Sequence, residues 1–367
     1  MIKAFHVRNF KGFSELDVPH LAPVTLIAGM NSVGKTALLE AMFLFLSRWN
    51  PMMFFQQLRF RGLNANPVNG ANLWKPLFYG FDMQHDIILK MVRSDIREEE
   101  QLLLNYDPRY ARNLVKESKG SEEPERFERL ESSNVPRPAE AMRLLYTRAL
   151  SQKEYYLRLE QDGMSVNIPR DEWESEQTAI FLAARHILNL ADDAARFSEF
   201  DKKNQKQLII DALRVVDARV SDLSVVVNEG QEEGTIYADI GLSQKIPVRL
   251  MGDGICRLLS ILLALGNARD GVVFVDEIEN GIHHSVLKAF WKTLMHAAEK
   301  FSCQLIATTH SYECVASAFR AASEGNRLDE FTYFRLARSK KQEDVIVAKE
   351  FDADMLDIAV NANMEIR

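Results

Sequence analysis

The residues best equipped for chemistry lie in one run, Gly29-Met30-Asn31-Ser32-Val33-Gly34-Lys35-Thr36. It fits G-x-x-x-x-G-K-[ST], the pattern of a loop that cradles phosphate. Gly29 and Gly34 let the backbone turn tightly, so the amides of Asn31, Ser32, Val33 and their neighbours can converge on phosphate oxygens. Lys35 reaches the β- and γ-phosphates of a nucleoside triphosphate, and the Thr36 hydroxyl can ligate Mg²⁺. The flanks agree: Val24–Ala28 is a short apolar strand pattern and Thr36–Leu46 a helix pattern. That helix adds the positive end of its dipole to the loop.

Complementary groups lie far along the chain. Gly271-Val-Val-Phe-Val-Asp276-Glu277 is an apolar strand that ends in adjacent carboxylates. A buried parallel strand delivers its carboxyl end to the ligand side of an open α/β sheet. There Asp276 is assigned to the metal and Glu277 to the attacking water. Gln304–Thr309 is a further strand, and His310 at its tip is placed to hydrogen-bond the γ-phosphate or that water. Gly252, Asp253 and Gly254 open the helical run Ile255–Leu265 and make a second anion-binding corner. A phosphate already held by the first loop does not need it. The economical arrangement is a two-fold dimer with ATP between the subunits, each corner serving the other protomer's nucleotide. A bulky charged residue at Gly254 is then expected to crowd that phosphate without disturbing the protomer.

The rest of the chain must position these groups. Ile2–Val7, Ser14–Val18, Asp86–Arg93, Gln101–Asn105 and Ala179–Ala184 read as strands, and residues 51–80 as irregular. Residues 107–150 are charge-rich and hold Pro136 and Pro138, which suits a solvated insertion or an arm for a partner. Asp162-Gly163 marks a hairpin, and residues 187–199 and 203–217 follow helical spacing. Ser224–Asn228 with Thr235–Ile240, and Phe331–Leu336 with Val345–Lys349, read as further hairpins. The expected fold is α/β: a P-loop NTPase head whose mixed sheet wraps the P-loop helix. Residues 1–106 and 221–367 supply the head, and 107–220 an inserted, mainly helical lobe.

Composition sets the outer bounds. The chain has 367 residues, 47% hydrophobic, and a net charge of −7, which excludes a protein coated in positive charge but leaves room for a local basic strip. No apolar run reaches the ~18 residues of a membrane helix, and no signal-peptide pattern precedes Ile2. Cys256, Cys303 and Cys314 form no C-x-x-C pair and read as reduced thiols, in keeping with the cytoplasm.

In this order, Gly29–Thr36, Met251–Ile255, Val272–Glu277 and His310 resemble the Walker A, signature, Walker B and switch-histidine elements of an ABC-type ATPase. The opening Phe5-His-Val-Arg-Asn-Phe-Lys-Gly-Phe13 and the run Asp276-Glu-Ile-Glu-Asn-Gly-Ile-His-His284 are similar to the SMC/RecF/OLD-like branch. The resemblance spans the chain and is weakest between residues 50 and 180. It implies ATP and Mg²⁺ as cofactors, with Lys35 and Thr36 as phosphate and Mg²⁺ ligands. It places Asp276, Glu277 and His310 at the metal, catalytic and switch positions, and Glu279-Asn280 at the dimer-contacting D-loop. Gly252-Asp253-Gly254 departs from the family's Ser-x-Gly, which implies slow hydrolysis. For the family's Q-loop glutamine, Gln56, Gln57 and the Arg185-His186 corner compete.

OLD nucleases continue into a Toprim domain, whereas residues 311–367 read as a helix, a hairpin and a short helix without an acidic metal cluster. SMC proteins carry long coiled coils, and no sustained heptad run occurs here. The resemblance therefore implies an ATPase head working with a separately encoded effector, a nuclease or Toprim-like protein, as in paired anti-phage systems of the Septu and PARIS type. The competing readings are a RecF/SMC-like repair ATPase that acts directly on DNA and a transporter's nucleotide-binding subunit. The SMC-like motifs disfavour the transporter.

Overall fold

A computed structural model describes residues 1–48, 50, 73–96, 98–108, 141–160, 163–167, 177–184, 190–227, 230, 234–342, 345–362 and 364. Most of the irregular segment, most of the charged insertion and all the Q-loop candidates lie outside the described residues.

The central element is a six-stranded sheet in the order β16-β15-β3-β14-β13-β9. Its members are β3 (Val24–Gly29), β9 (Ala179–Leu182), β13 (Val272–Val275), β14 (Gln304–Thr308), β15 (Phe331–Arg338) and β16 (Ile346–Phe351). All neighbours are parallel except β15 and β16, which form an antiparallel hairpin. Every residue of β3, β13 and β14 is buried. That is why these strands read as continuous apolar runs rather than alternating ones.

The sheet separates two cores, and alternate residues of one strand enter different cores. Val273 and Val275 join Leu305 and Ala307 on one face, where helices α4 (Asp253–Asn267), α5 (Leu287–Lys300) and α6 (Tyr312–Glu324) pack. Val272 and Phe274 join Ile27 and Ile306 on the other, against α1 (Lys35–Leu46).

Helix α1 lies between two sheets. Its far side meets a seven-stranded antiparallel sheet in the order β2-β1-β4-β5-β6-β7-β8. This second sheet comprises β1 (Ile2–Phe10), β2 (Phe13–Val18), β4 (Ile87–Arg93), β5 (Glu100–Asp107), β6 (Ala141–Arg148), β7 (Ser151–Glu160) and β8 (Gly163–Asn167). The Phe43 ring packs toward Phe181 and Phe274 of the first sheet at 5.5 and 6.2 Å, while Phe45 packs toward Phe5 and Tyr146 of the second at 6.4 and 6.3 Å. A helix apolar all round, as α1 is, is stable only when covered on every side.

A small sheet of β10 (Asp222–Val226), β11 (Thr235–Asp239) and β12 (Ile246–Pro247) stands beside α2 (Leu190–Lys202) and α3 (Lys206–Leu213). The segment 107–220 needs a correction: its described residues are strands β6 to β9 before they are helices α2 and α3. β6 buries Met142, Leu144 and Tyr146 at alternate positions, a period-two pattern that fixes it as a strand of the head rather than part of a helical lobe. Cys256, Cys303 and Cys314 are all free and buried. Among the described residues, no helix is long and apolar enough to cross a membrane.

Candidate nucleotide site

Strand β3 ends at Gly29 and α1 begins at Lys35, so the intervening residues form the loop that the pattern requires. Ser32 and Gly34 take left-handed φ values of 64° and 86°, which fold the backbone into an amide-lined turn. A Cβ at Gly34 would lie 2.6 Å from the Phe13 ring, and one at Gly29 would lie 2.5 Å from the Leu336 carbonyl oxygen. Both glycines are thus required by packing as well as by conformation. Asn31 and Ser32 are exposed, and Val33 is buried.

Lys35 folds back on the loop, donating to the carbonyls of Gly29 at 2.6 Å and Met30 at 2.9 Å. Burial pushes its ammonium below the ordinary lysine value, and the charges of Asp276, Glu277 and Glu279 pull it partly back. The lysine therefore faces the acids from the second half of the chain.

Strand β14 lies between β3 and β13, and this order brings Asp276 to the loop. Thr36 Oγ1 donates to the Asp276 carboxylate, 3.1 Å from Oδ1 and 2.9 Å from Oδ2. Thr308, at the end of β14, donates its hydroxyl to Asp276 Oδ1 at 2.6 Å and accepts the Glu277 N–H at 2.8 Å. Burial raises the Asp276 pKa against the pull of these hydroxyls. A hydroxyl and a carboxylate oxygen are the donor set of a hard divalent cation, and a buried carboxylate whose charge is costly gains most from one. The residues fit Mg²⁺.

Glu277 has a φ of 49°, a strained value for a residue with a side chain. Its backbone is held by Thr308 and by Arg257, whose Nη2 donates to the Asp276 carbonyl at 2.6 Å and the Glu277 carbonyl at 3.3 Å. Arg257 Nη1 reaches the Ala183 carbonyl at 3.3 Å, tying the end of β9 to the same point. Asn280 Nδ2 donates to Glu277 Oε2 at 2.8 Å. His310 Nδ1 lies 3.9 Å from Glu277 Oε1 and 3.3 Å from Glu279 Oε1, and Glu279 also accepts the His310 N–H at 2.9 Å. The structure thus brings together Lys35, Thr36, Asp276, Glu277 and His310. Glu279 and Asn280, expected at a dimer contact, make these contacts within the protomer.

The second corner packs against the turn that follows Glu277. Gly252, at φ 113°, caps α4, and Asp253 is exposed. Among the described residues, no hydrogen bond joins Gly252–Gly254 to the phosphate loop. A Cβ at Gly254 would lie 2.8 Å from the Gly281 carbonyl oxygen. The expectation that Gly254 tolerates a bulky residue is therefore corrected: the turn after Glu277 in the same protomer blocks it.

Sequence reasoning missed Arg257, Thr308 and the internal role of Asn280. Arg257 did leave a trace, as the lone cation of the apolar run Ile255–Leu265. Thr308 left none beyond its position next to the strand tip.

Fold and site together define a P-loop NTPase with the α/β head of the ABC and SMC type, an ATP-hydrolysing enzyme. The chain belongs to the family described as "AAA domain, putative AbiEii toxin, Type IV TA system", which matches residues 24–316. An ATP/GTP phosphatase of Helicobacter pylori is 21% identical over 343 residues, 86% of this chain and 86% of its own length. An uncharacterized protein of Methanocaldococcus jannaschii is 30% identical over 95 residues, 26% of this chain and 43% of that one. Among solved structures, an Smc head bound to the C-winged helix domain of ScpA superposes with a TM-score of 0.50. It is 11% identical and covers 96% of this chain and 97% of that one, a likeness of fold alone.

Proposed function

We propose that the chain is an ATP-driven switch that closes as a homodimer around its nucleotides and thereby gates a separately encoded effector in anti-phage defence. The observation that carries the catalytic half is the convergence of Lys35, Thr36, Asp276 and Glu277 from two ends of the chain onto neighbouring strand tips. Lys35 and the loop amides hold the triphosphate. Thr36 and Asp276 would hold Mg²⁺, which supplies neutralisation of phosphate charge. Glu277 orients the attacking water and accepts its proton; Asn280 holds its carboxylate and Arg257 its backbone carbonyl. His310, exposed and beside Glu277, reports the γ-phosphate.

Two features support closure between protomers. Among the described residues no hydrogen bond joins Gly252–Gly254 to the phosphate loop of the same protomer, and Met30 and Leu250 are 70% and 71% exposed in the loop and beside the corner. Apolar side chains so placed are covered when two protomers close on each other. The effector half rests on the SMC- and OLD-like motifs and on the family's description, which names a TA system. The Helicobacter relative is an ATP/GTP phosphatase, which agrees with the catalytic half.

The test is co-purification from the native operon, comparing Glu277→Gln locked with ATP against nucleotide-free protein. A neighbour-encoded protein that associates in one state and not the other is expected, because a ligand with equal affinity for both states shifts nothing. If no neighbour co-purifies, or if the purified chain alone binds and processes DNA, direct action on DNA replaces this reading.

A further inference from the structure

A cavity outside the nucleotide site lies at the other end of the same elements. It measures about 680 Å³ and is lined by Arg48, Arg93, Arg148 and Arg269, against Asp95 and Asp270. The residues before β9, β13 and β14 and those after α1 contribute to it. The loop lysine opens α1 and the acids follow β13, so the elements that end at the catalytic groups start or finish at this cavity.

Its arginines divide by the partners they already have. Arg93 is bidentate to Glu100, at 2.6 and 2.9 Å, and Glu100 is fully buried and also accepts the Tyr146 hydroxyl. The Arg48 guanidinium stacks 3.9 Å over the Tyr146 ring. The positive charge of these two is largely spent. Arg148 and Arg269 line the same cavity, and among the described residues neither makes an ion pair or a hydrogen bond. Gln177 donates to the Asp270 carbonyl, while its buried Oε1 has no donor among the described residues. A chain of net charge −7 thus gathers four arginines around one concavity, two of them uncommitted.

We propose that this cavity is a second anion site that takes the phosphate group of a nucleotide-sized ligand, separate from the P-loop. Planar guanidinium groups recognise phosphate oxygens in pairs. Arg148 and Arg269, which line one cavity and make no ion pair among the described residues, offer such donors. The volume falls in the range of small-molecule sites, about 300–1,000 Å³, rather than of an extended groove. A ligand with a hydroxyl or amino donor beside its phosphate also answers the open Gln177 acceptor, which favours a nucleoside phosphate over bare phosphate. The same chemistry is found in a free nucleoside monophosphate and at the 5′-phosphate end of a nucleic acid.

The experiment uses Lys35→Ala protein, so that the P-loop does not contribute, and reads fluorescence anisotropy with two probes. One is a fluorescent adenosine monophosphate, the other a short single-stranded DNA labelled at its 3′ end, with and without a 5′-phosphate. At least one phosphorylated probe is expected to bind. Arg148→Glu with Arg269→Glu should weaken it by about tenfold or more. Preference for the monophosphate assigns a free nucleotide, and binding of DNA only when 5′-phosphorylated assigns a chain end. Arg148→Gln with Arg269→Gln provides a milder pair, with circular dichroism melts to confirm that both variants fold. Absence of binding by either phosphorylated probe at millimolar protein overturns the proposal. So does binding that neither pair of substitutions alters, or DNA binding indifferent to the 5′-phosphate without binding of the monophosphate.

Discussion

The Thr36 hydroxyl lies 3.1 and 2.9 Å from the two carboxylate oxygens of Asp276, across 240 positions of sequence. Parallel pairing of β3 with β14 and of β14 with β13 makes that contact. Thr308 sits on the strand between, touching both the Asp276 carboxylate and the Glu277 N–H.

Thr308→Val should therefore lower turnover more than it weakens nucleotide binding. It removes one donor from Asp276 and leaves the Glu277 amide, already at a left-handed φ, without its acceptor. Stability should fall by about 1–3 kcal/mol. Steady-state rates, nucleotide affinity and denaturant titration of the variant separate these effects.

Asp276→Asn should make the nucleotide-free protein more stable at neutral pH while abolishing turnover. Burial raises the folded-state pKa of Asp276 above the ordinary 3.8. The folded state then binds the proton more tightly than the unfolded state. Stability contributed by this group falls as pH rises from 3.8 through the raised folded value, and the ionised carboxylate stays costly above it. Melting temperatures of wild type and variant across pH should converge at the acidic end and diverge, with the variant higher, toward neutrality.

Arg257→Leu should cost about 2 kcal/mol or more, because the carbonyls of Ala183, Asp276 and Glu277 lose their donor in a buried setting. Urea unfolding measures the loss. Turnover should fall even at temperatures where the variant is folded, since the backbone of Glu277 is no longer held.

Asp253→Ser should raise turnover in concentrated protein. Asp253 is exposed at the start of α4, where a carboxylate would face the phosphate of a partner's nucleotide. Serine removes that repulsion and adds a hydroxyl donor. Specific activity measured as a function of protein concentration is the readout.

The phosphate loop, the apolar strands and the paired acids were legible because each carries a local pattern. Gly29 and Gly34 mark the turn, Val272–Val275 marks a doubly covered strand, and His310 follows directly from the next one. Residues whose roles depend on packing were not legible in the same way. Arg257 is one helix position among apolar neighbours until β9 and β13 bring three carbonyls to it. Gly254 looked open to substitution because nothing local reveals that Gly281 folds back against it. The hairpin of β7 and β8 is legible from Asp162-Gly163, whereas β6 is not, because a charge-rich stretch separates it from β5 and masks the period-two burial of Met142, Leu144 and Tyr146.

The proposed closure of two protomers by ATP is read from multi-angle light scattering of Glu277→Gln, with and without ATP and Mg²⁺. Monomer mass is expected without nucleotide and dimer mass with it. Lys35→Ala should stay monomeric in both conditions, and Leu250→Glu, introduced into the Glu277→Gln protein at a site 71% exposed, should shift the dimer back toward monomer. A mass for Glu277→Gln that ATP leaves unchanged would contradict the account.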